Sequence, residues 1–373
     1  MKMQYLQFIL LLALQAGASG ATAANTNLAS DTKATTKTQN LIRNMHTLAK
    51  KGTMIGHQDA LSYGIGWYDN SNRCDVKDVC GSYPAVMGWD LGHLELGSSV
   101  NLDSVSFATM RKNIIRGYEA GAINTISWHA RNPLTGSDAW DISSNQVVTS
   151  ILPGGQKNTL YNQWLDRVAD FMTNLKGKNG ELIPVVFRPY HELSGSWFWW
   201  GKKLCTKEDF VALWRYTIDY LRGKGAHNML VAYCLADFYS EAEFLDRYPG
   251  DGYVDVVGFD IYHRENDPKG TIFSADLKMK SDIAQKVAKD RNKLFAITEA
   301  GYEAIPDSSW FTQVLAPGVR GRNISYVLLW RNAFNKKGHF YAPYPGHSSA
   351  ADFVKLTRDR AFFTCRNLKK MYK

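Results

Sequence analysis

The chain changes from apolar to polar within residues 182–201, which read LIPVVFRPYHELSGSWFWWG. Residues 183–187 have the continuous apolar character of a strand that is buried on both faces. Arg188, Pro189, Tyr190, His191 and Glu192 follow directly. Because proline cannot donate to a sheet ladder, strand pairing should stop close to Pro189. A cation, a phenol, an imidazole and a carboxylate therefore stand together where one strand ends.

Four aromatic residues come next in the same loop. They are Trp197, Phe198, Trp199 and Trp200. Aromatic rings bind the apolar faces of sugars, and a nearby carboxyl group can perform the proton chemistry of glycoside hydrolysis. The alternative is structural: a capped strand with an ion pair and a small aromatic cluster. This stretch alone leaves both interpretations open.

The N-terminus predicts export. Lys2 supplies a short basic region, residues 8–14 form an apolar core, and Ala21-x-Ala23 is a cleavage pattern. The apolar run is too short to span a bilayer. We therefore predict a signal peptide over 1–23, a flexible lead-in over 24–37 that is rich in Thr, Ala and Asn, and one domain over 38–373. The expected location is the periplasm or the medium, with no membrane span.

The net charge of +9 is spread over the 373 residues, apart from short clusters such as Lys369-Lys370. A dispersed excess of this kind is typical of a solvated surface, so we do not expect nucleic-acid binding. Cys74 and Cys80 share one loop and are the best candidate disulfide among five cysteines. No spacing typical of a zinc site appears, and we expect no metal or organic cofactor.

One pattern repeats eight times: an apolar run, a polar or aromatic cluster, and then a stretch with helical periodicity. The candidate strands are 53–56, 85–89, 123–128, 183–187, 229–233, 254–259, 294–297 and 324–329, and the clearest helical stretches are 107–120, 161–175, 207–224, 274–290 and 308–315. Alternating strands and helices predict a parallel sheet with right-handed crossovers. Eight repeats fit a single (β/α)8 TIM barrel, although a doubly wound sheet remains an alternative.

The ends of the strands favour the barrel. Nearly all carry polar or aromatic groups: His57-Gln58, Asp90 with His93, Trp128-His129, Arg188 to Glu192, Asp237, Asp260 to His263, Glu299 and Trp330-Arg331. A barrel places its catalytic groups at the C-terminal ends of all its strands. A doubly wound sheet would concentrate them at one switch point, and no glycine-rich phosphate loop follows the first strand.

Two carboxylates stand out. Glu192 follows the fourth strand, and Glu299 ends the seventh, which is strongly apolar up to Thr298. A carboxylate at the rim of a buried sheet needs a partner or a function. One explanation of Glu299 is a salt bridge with an arginine such as Arg331. Two glutamates at the ends of strands four and seven of one barrel instead favour catalysis.

The order of the motifs resembles that of the glycoside hydrolase family 26 β-mannanases, barrel glycosidases with catalytic glutamates after strands four and seven. The matching residues are Gly56-His57-Gln58, Trp128-His129, Arg188-Pro-Tyr-His-Glu192, Trp197, Asp260-Ile-Tyr262, Thr298-Glu-Ala-Gly301 and Trp330-Arg331. Each motif alone is weak. Their common order along eight repeats spans nearly the whole mature chain and makes the resemblance specific.

The resemblance implies retaining hydrolysis of β-1,4-mannosidic bonds in mannan, galactomannan or manno-oligosaccharides, with mannobiose as one expected product. Glu192 would be the general acid/base and Glu299 the nucleophile, with their carboxyl groups about 5–5.5 Å apart. Tyr262 and Arg331 are the candidate donors that keep Glu299 ionised. The expected protein is a monomeric (β/α)8 glycosidase.

The resemblance also implies a set of sugar-binding residues. They are His129, His191, Trp197, Asp260, Tyr262, Trp330 and Arg331. Asp260 and Tyr262 can both face the barrel mouth, because two residues separate them along one strand. Arg188 would organise the acid/base, while His57 and Asp90 would be structural or peripheral.

Three rival functions remain open. A β-1,3-xylanase or a lichenase of the same family would share both glutamates and differ only in its loops. A non-catalytic carbohydrate-binding barrel would keep the aromatic residues but need neither glutamate. The presence of both Glu192 and Glu299 argues for an enzyme.

Overall fold

The computed structural model describes residues 28–373, and the predicted signal peptide over 1–23 lies outside them. Eight parallel strands pair in sequence order, and the eighth closes the sheet against the first. At the closure Met54 lies opposite Tyr326, and His57 lies opposite Leu329. The predicted (β/α)8 barrel is confirmed.

The barrel strands lie where the apolar runs predict them. They are β1 Thr53–Gln58, β2 Val86–Asp90, β3 Ile123–Trp128, β4 Val185–Pro189, β5 Met229–Leu235, β6 Val256–His263, β7 Leu294–Tyr302 and β8 Ile324–Leu329. Every strand residue except Tyr262 is buried, because helices cover the outer face of the sheet. β6 and β7 extend beyond the predicted ends, so Asp260 and Glu299 belong to strands rather than loops.

Ten α-helices occur within the described part of the chain. They are α1 Thr36–Ala49, α2 Asp75–Cys80, α3 Phe107–Glu119, α4 Val147–Ile151, α5 Asn158–Thr173, α6 Lys207–Gly223, α7 Glu241–Leu245, α8 Thr271–Asp290, α9 Ala316–Val319 and α10 Ala350–Arg358. The predicted helix over 308–315 is only partly formed, as a π-helical turn at Phe311–Leu315. None of the helices in residues 28–373 has the length and apolarity needed to cross a bilayer.

Smaller elements complete the fold. Tyr63–Gly64 and Trp67–Tyr68 pair as an antiparallel ribbon after β1, and Phe362–Phe363 adds a short parallel strand beside β1. Single 3₁₀ turns form at Leu94–Leu96, Asp251–Tyr253 and Cys365–Asn367. The ribbon and the first of these turns belong to the loops after β1 and β2, which extend the rim of the barrel.

The cap of α6 fixes where the aromatic loop after β4 ends. Thr206 accepts a hydrogen bond of 3.1 Å from the backbone N–H of Asp209, and its hydroxyl donates to the Asp209 carboxylate at 2.7 Å. The first of these bonds satisfies one backbone N–H at the start of the helix. Gly225, with φ of 90°, follows the last turn of α6 in the left-handed conformation that commonly ends a helix.

Residues 28–37 are packed against the base of the barrel, which corrects the second half of the predicted flexible lead-in. Ala29 and Asp31 are buried, and α1 begins at Thr36. The Ser30 hydroxyl donates to Asp255 at 2.9 Å. Asp255 is buried just before β6 and needs such partners, a long-range contact that the composition of the segment did not reveal.

The candidate disulfide between Cys74 and Cys80 is not formed, and all five thiols are free. Cys74 caps the start of α2, and Cys80 is its last residue. Six residues of α-helix separate two Cα atoms by about 9 Å. A disulfide requires about 4.4–6.8 Å, so the helix itself keeps the two sulfurs apart.

Candidate active site

The turn after β4 delivers Glu192 over the mouth of the barrel. Tyr190 and Glu192 both adopt left-handed backbone, with φ of 47° and 54°. Non-glycine residues rarely adopt this conformation, and each instance costs about 1–3 kcal/mol. Such strain is concentrated at functional sites. Here the two left-handed residues turn the chain twice within three residues.

Glu192 and Glu299 face each other across the mouth. Oxygens of their carboxyl groups and of Asp260 lie within 4.8 Å of one another. Retaining glycosidases place the two carboxyl groups about 5–5.5 Å apart, whereas inverting enzymes leave about 6.5–9.5 Å for a water molecule. The separation of Glu192 and Glu299 therefore suits direct attack by one carboxylate on an anomeric carbon.

Arg188 is the buried cation that holds this site together. Its Nη1 donates to Oδ2 of Asp260 at 2.9 Å, and its Nη2 donates to Oε1 of Glu299. Asp260 and Glu299 are opposite residues on β6 and β7. Arg188 thus braces Glu299 rather than organising Glu192, which corrects the predicted role. The guanidinium reaches across the barrel interior from β4 to β6 and β7.

Tyr262 supplies the second donor to Glu299, as predicted, with its hydroxyl 2.6 Å from Oε2. Arg331, the other predicted donor, does not reach Glu299. It forms an ion pair with Asp103 at 3.2 Å. Arg331 does not reach Glu299 because its side chain points from the end of β8 toward the loop after β2, away from β7.

The surroundings of Glu192 favour its protonated form. Burial, and after it the negative charge of Glu299, raise the pKa of Glu192 to about 7. The indole of Trp197 donates to Glu192 at 2.6 Å and opposes this shift. Arg188 bonds only Asp260 and Glu299, so a proton on Glu192 relieves the repulsion among the three carboxyl groups. Glu192, when protonated, can act as the acid, and Glu299, held by its donors, can act as the nucleophile.

A chain of hydrogen bonds approaches Glu192 from β2 and β3. Asp90 Oδ2 lies 2.7 Å from Nδ1 of His129, and Nε2 of His129 lies 3.1 Å from Nε2 of His191. Burial disfavours charge on His129, but the charge and hydrogen bond of Asp90 raise its pKa above the usual value. Burial, Arg188 and His129 lower the pKa of His191 well below its usual value. These opposite shifts of pKa favour protonation of His129 over protonation of His191.

Comparison with known proteins agrees with this geometry. Residues 30–313 match the model of glycosyl hydrolase family 26. The chain belongs to glycosyl hydrolase family 26. A relative from Bifidobacterium adolescentis, named mannan endo-1,4-beta-mannosidase, is 34% identical over 369 residues and covers 90% of this chain.

Solved structures of the family superpose closely. A GH26 β-mannanase from Bacteroides ovatus is 47% identical, with a TM-score of 0.89 over 91% of this chain and 98% of that chain. A modular endo-β-1,4-mannanase from Cellulomonas fimi is 31% identical, with a TM-score of 0.83 over 92% and 79%. The chain spans 35% of the Bifidobacterium relative and 48% of a Caldalkalibacillus mannanilyticus relative that is 27% identical, so these curated proteins are much longer.

The aromatic loop of this family 26 chain divides into buried and exposed rings. Trp199 and Trp200 are fully buried and donate to the backbone carbonyls of Ala130 and His191, both at 2.9 Å. They fix the loop in place and do not reach a ligand. Trp197 is 37% exposed and is free to contact a sugar beside Glu192.

Sequence reasoning left Trp140 out of the candidate sugar-binding residues. Trp140, in the long loop after β3, is 48% exposed and stacks on His129 with ring centroids 5.2 Å apart. Phe198 packs against both of these rings. The available signal was a tryptophan in a polar loop that follows a strand ending in His129.

The opposite wall of the family 26 site lies at the ends of β1 and β8. Trp330 is half-buried, and its backbone N–H donates to the carbonyl of Ala300 at 3.0 Å. Next to it, Tyr63 donates to Asp59 at 2.6 Å. Burial and then the charge of Asp103 raise the pKa of Asp59 to about 8. Tyr63 and Asp59 are fully buried, so they support this wall from behind.

The acidic cluster could in principle attract a metal ion, since three carboxylates converge. Arg188, however, already donates to both Asp260 and Glu299. Thr298 donates to the remaining oxygen of Asp260 at 2.6 Å. Both oxygens of Asp260 therefore accept hydrogen bonds within the protein, so Asp260 also positions Arg188.

Proposed function

We propose that this family 26 chain is a retaining β-mannanase that hydrolyses β-1,4-mannosidic bonds in mannan, galactomannan or manno-oligosaccharides. The observation that carries the proposal is the pair of Glu192 and Glu299, whose carboxyl oxygens approach within 4.8 Å. The names of the relatives and solved neighbours support mannan as the substrate. Mannobiose release is part of the proposal, and a time course of products tests it.

In the first step Glu192 donates its proton to the glycosidic oxygen while Glu299 attacks the anomeric carbon. The bond to the leaving sugar breaks, and an ester joins the remaining sugar to Glu299. In the second step Glu192, now a carboxylate, takes a proton from water. The resulting hydroxide displaces Glu299 and restores both groups, so the anomeric configuration is retained.

The electrostatics of the site support this alternation. The charge of Glu299 is one of the two main causes that raise the pKa of Glu192. When Glu299 becomes an ester, that charge disappears and the pKa of Glu192 falls. Glu192 is therefore an acid before the ester forms and a base afterwards. Tyr262 and Arg188 orient Glu299 for attack and stabilise the carboxylate when it leaves.

Sugar binding is assigned to both walls of the mouth. His129, His191 and Trp197 would contact sugar on the side of β3 and β4, with Trp140 added to the predicted set. Trp330 and Arg331 would contact sugar on the side of β8. Arg331 keeps this role because its ion pair with Asp103 leaves it at the rim, 19% exposed.

Export and a monomeric state are part of the proposal. The predicted signal peptide over 1–23 supports a periplasmic or secreted location. The scattered positive charge gives no basic stripe for nucleic acid. Size-exclusion chromatography with light scattering tests the monomer, and sequencing of the mature N-terminus tests cleavage near residue 23.

The decisive experiment measures sugar release from mannan, β-1,3-xylan and lichenan in parallel, with the anomer of the first product followed by proton NMR. Mannan should be hydrolysed with release of the β-anomer. Glu299→Ala should abolish turnover but keep oligosaccharide binding, while Glu208→Ala on α6 serves as the matched surface control. Hydrolysis confined to xylan or lichenan would favour the rival enzymes, and binding without turnover by the wild type would favour a non-catalytic barrel.

A further inference from the structure

Three buried hydroxyl groups meet behind the turn that carries Glu192. They belong to Tyr161 in α5, Tyr190 in the turn after β4 and Thr217 in α6, and all three residues are buried. The Thr217 hydroxyl lies 2.7 Å from that of Tyr190 and 2.8 Å from that of Tyr161. The two tyrosine hydroxyls also bond each other. Because a hydroxyl can both donate and accept, the three groups satisfy one another in a closed ring, which we call the hydroxyl triad.

The side chain of Tyr190 is enclosed by aromatic rings from the loop after β4 and from α6. Their centroids lie 6.0–6.2 Å from that of Tyr190, and the rings are those of Trp199, Trp200, Phe210 and Trp214. The three indoles donate to backbone carbonyls elsewhere. An unpaired hydroxyl is costly in such apolar surroundings. The hydroxyls of Tyr161 and Thr217 therefore decide where the end of the Tyr190 side chain can lie.

The backbone of Tyr190 connects the hydroxyl triad to Glu192. Tyr190 and Glu192 have φ of 47° and 54°, in the left-handed region that side chains rarely adopt. Strained backbone persists only where its surroundings over-determine it. The triad supplies such a constraint, because it fixes the side chain of Tyr190 against two helices. Relaxation of this turn would move the Glu192 carboxyl away from Glu299.

We propose that Thr217 and Tyr161 are positioning residues for the acid/base: through Tyr190 they hold Glu192 at the separation from Glu299 that retaining hydrolysis requires. Both lie in the helical layer outside the barrel. Within residues 28–373 the hydroxyls of Thr217 and Tyr161 bond each other and Tyr190, and neither bonds Glu192 or Glu299. They therefore act through the turn and not on the sugar. This inference rests on the proposed mannanase function.

Displacement of Glu192 has a defined sign in the pH profile. Burial and then the charge of Glu299 raise the pKa of Glu192, while Arg188 and His129 lower it. Asp260 is a further carboxyl group close by. A Glu192 carboxyl that moves toward solvent and away from Glu299 loses both main causes of the shift, so its pKa falls. Because Glu192 must be protonated to act as the acid, the alkaline limb of the profile then moves to lower pH.

Thr217→Val tests the assignment, because valine keeps the shape of threonine and removes its hydroxyl. On manno-oligosaccharides kcat should fall about tenfold, the effect of a buried hydroxyl that loses a partner, with KM nearly unchanged and the alkaline limb at lower pH. Thr217→Ser keeps the hydroxyl and should restore kcat and the limb. Tyr190→Phe removes the hydroxyl from the turn itself and should reproduce the profile of Thr217→Val.

Tyr216→Phe is the matched control. Tyr216 is the neighbour of Thr217 in α6, and its hydroxyl bonds Asn158 and Asn162 in α5. The variant therefore removes hydrogen bonds from the same helix pair without breaking one within the hydroxyl triad. It should keep the wild-type kcat and the wild-type alkaline limb. A fall of kcat as large as that in Thr217→Val would assign the effect to the packing of α5 on α6 and overturn the inference.

Urea unfolding separates positioning from stability alone. A lower free energy of unfolding in Thr217→Val and Tyr190→Phe, with kcat and the alkaline limb unchanged, would overturn the inference. A limb that moves to higher pH would also overturn it. If Thr217→Val does not fold, Tyr190→Phe decides by the same measurements. Failure of the wild type on mannan would instead remove the proposed function, whereas unchanged variants of an active enzyme would remove only the role of the triad.

Discussion

The indole N–H of Trp197 donates a hydrogen bond of 2.6 Å to Oε2 of Glu192. A donor of this kind favours the ionised carboxylate, so it opposes the burial and the Glu299 charge that raise the pKa of Glu192 to about 7. One exposed aromatic side chain therefore tunes the strength of the acid in addition to offering a surface for sugar.

Replacing Trp197 with phenylalanine should move the alkaline limb of the pH profile upward. Glu192 must be protonated to act as the acid, so activity is present below its pKa and lost as pH rises through it. Without the indole donor the pKa rises further, by about one unit, since a hydrogen bond to a charged group contributes roughly 1.5–3 kcal/mol. The measurement is kcat/KM on manno-oligosaccharides between pH 5 and pH 9.

Trp140→Phe is the matched control for this experiment. Trp140 is similarly exposed but forms no hydrogen bond with Glu192 in the described structure. Its variant should weaken sugar binding and leave the limb near pH 7. A limb that moves downward in Trp197→Phe would show that the indole does not stabilise the carboxylate.

Replacement of Arg188 should lower both stability and turnover. Arg188→Met leaves Asp260 and Glu299 buried without their cation, and removal of one partner from a buried ion pair costs about 3–5 kcal/mol. Turnover should fall by more than about 100-fold, because Glu299 loses its brace. Urea unfolding and steady-state kinetics measure the two effects.

Arg188→Lys separates the effect of the charge from the effect of the hydrogen-bond geometry. Lysine keeps the charge but cannot bridge two carboxylates with a planar fork, so stability should recover in part while turnover stays low. Arg320→Lys is the control, since its ion pair with Asp359 lies at the surface, where the Arg320 side chain is 56% exposed. Full stability in Arg188→Met would contradict the ion-pair assignment.

The barrel was predictable because buried parallel strands appear in the sequence as short apolar runs with polar ends. The same runs placed Glu192 after β4 and Glu299 in β7. What each polar end contacts was not predictable. Arg188 binds residues 72 and 111 positions away, since closure of the barrel brings β4, β6 and β7 to one axis. Local sequence contains no signal for such a contact.

The direction in which a side chain points at the end of a strand explains the remaining differences between the predicted and the observed contacts. Arg331 was expected at Glu299 but turns to Asp103. Asp90 was expected to be structural or peripheral, and it lies 2.7 Å from the His129 ring. Glu299 in β7 and Asp103 in the loop after β2 lie on opposite sides of β8, and the turn that follows β8 decides which of them Arg331 reaches. Alternation along the strand was a safer guide: Asp260 and Tyr262 do share the mouth-facing side.

Asp90→Asn should leave the His129 ring uncharged at neutral pH. The charge and hydrogen bond of Asp90 raise the pKa of His129, so an amide in its place lets burial dominate and the pKa falls. His129 also lowers the pKa of Glu192 through its charge. The alkaline limb of the pH profile should therefore move upward, in the same sense as in Trp197→Phe.

Proton NMR of the His129 ring measures the effect of Asp90→Asn directly. In the wild type the ring should titrate above its usual value, and in the variant below it. Ser127→Ala is the control, because Ser127 donates to Asp90 at 2.5 Å but does not touch His129. An unchanged titration of His129 in Asp90→Asn would contradict the proposed charge on the ring.

The free thiols give a prediction that is independent of catalysis. All five cysteines are unpaired, with Cys80 and Cys205 partly exposed and Cys74, Cys234 and Cys365 buried. Thiol titration should therefore find at most two fast-reacting groups in the native protein and five in denaturant without reductant. Reductant should leave the thermal unfolding midpoint unchanged, since no bridge constrains the unfolded chain. Three thiols in denaturant, together with a lower midpoint after reduction, would show a disulfide and would require α2 to unwind between Cys74 and Cys80.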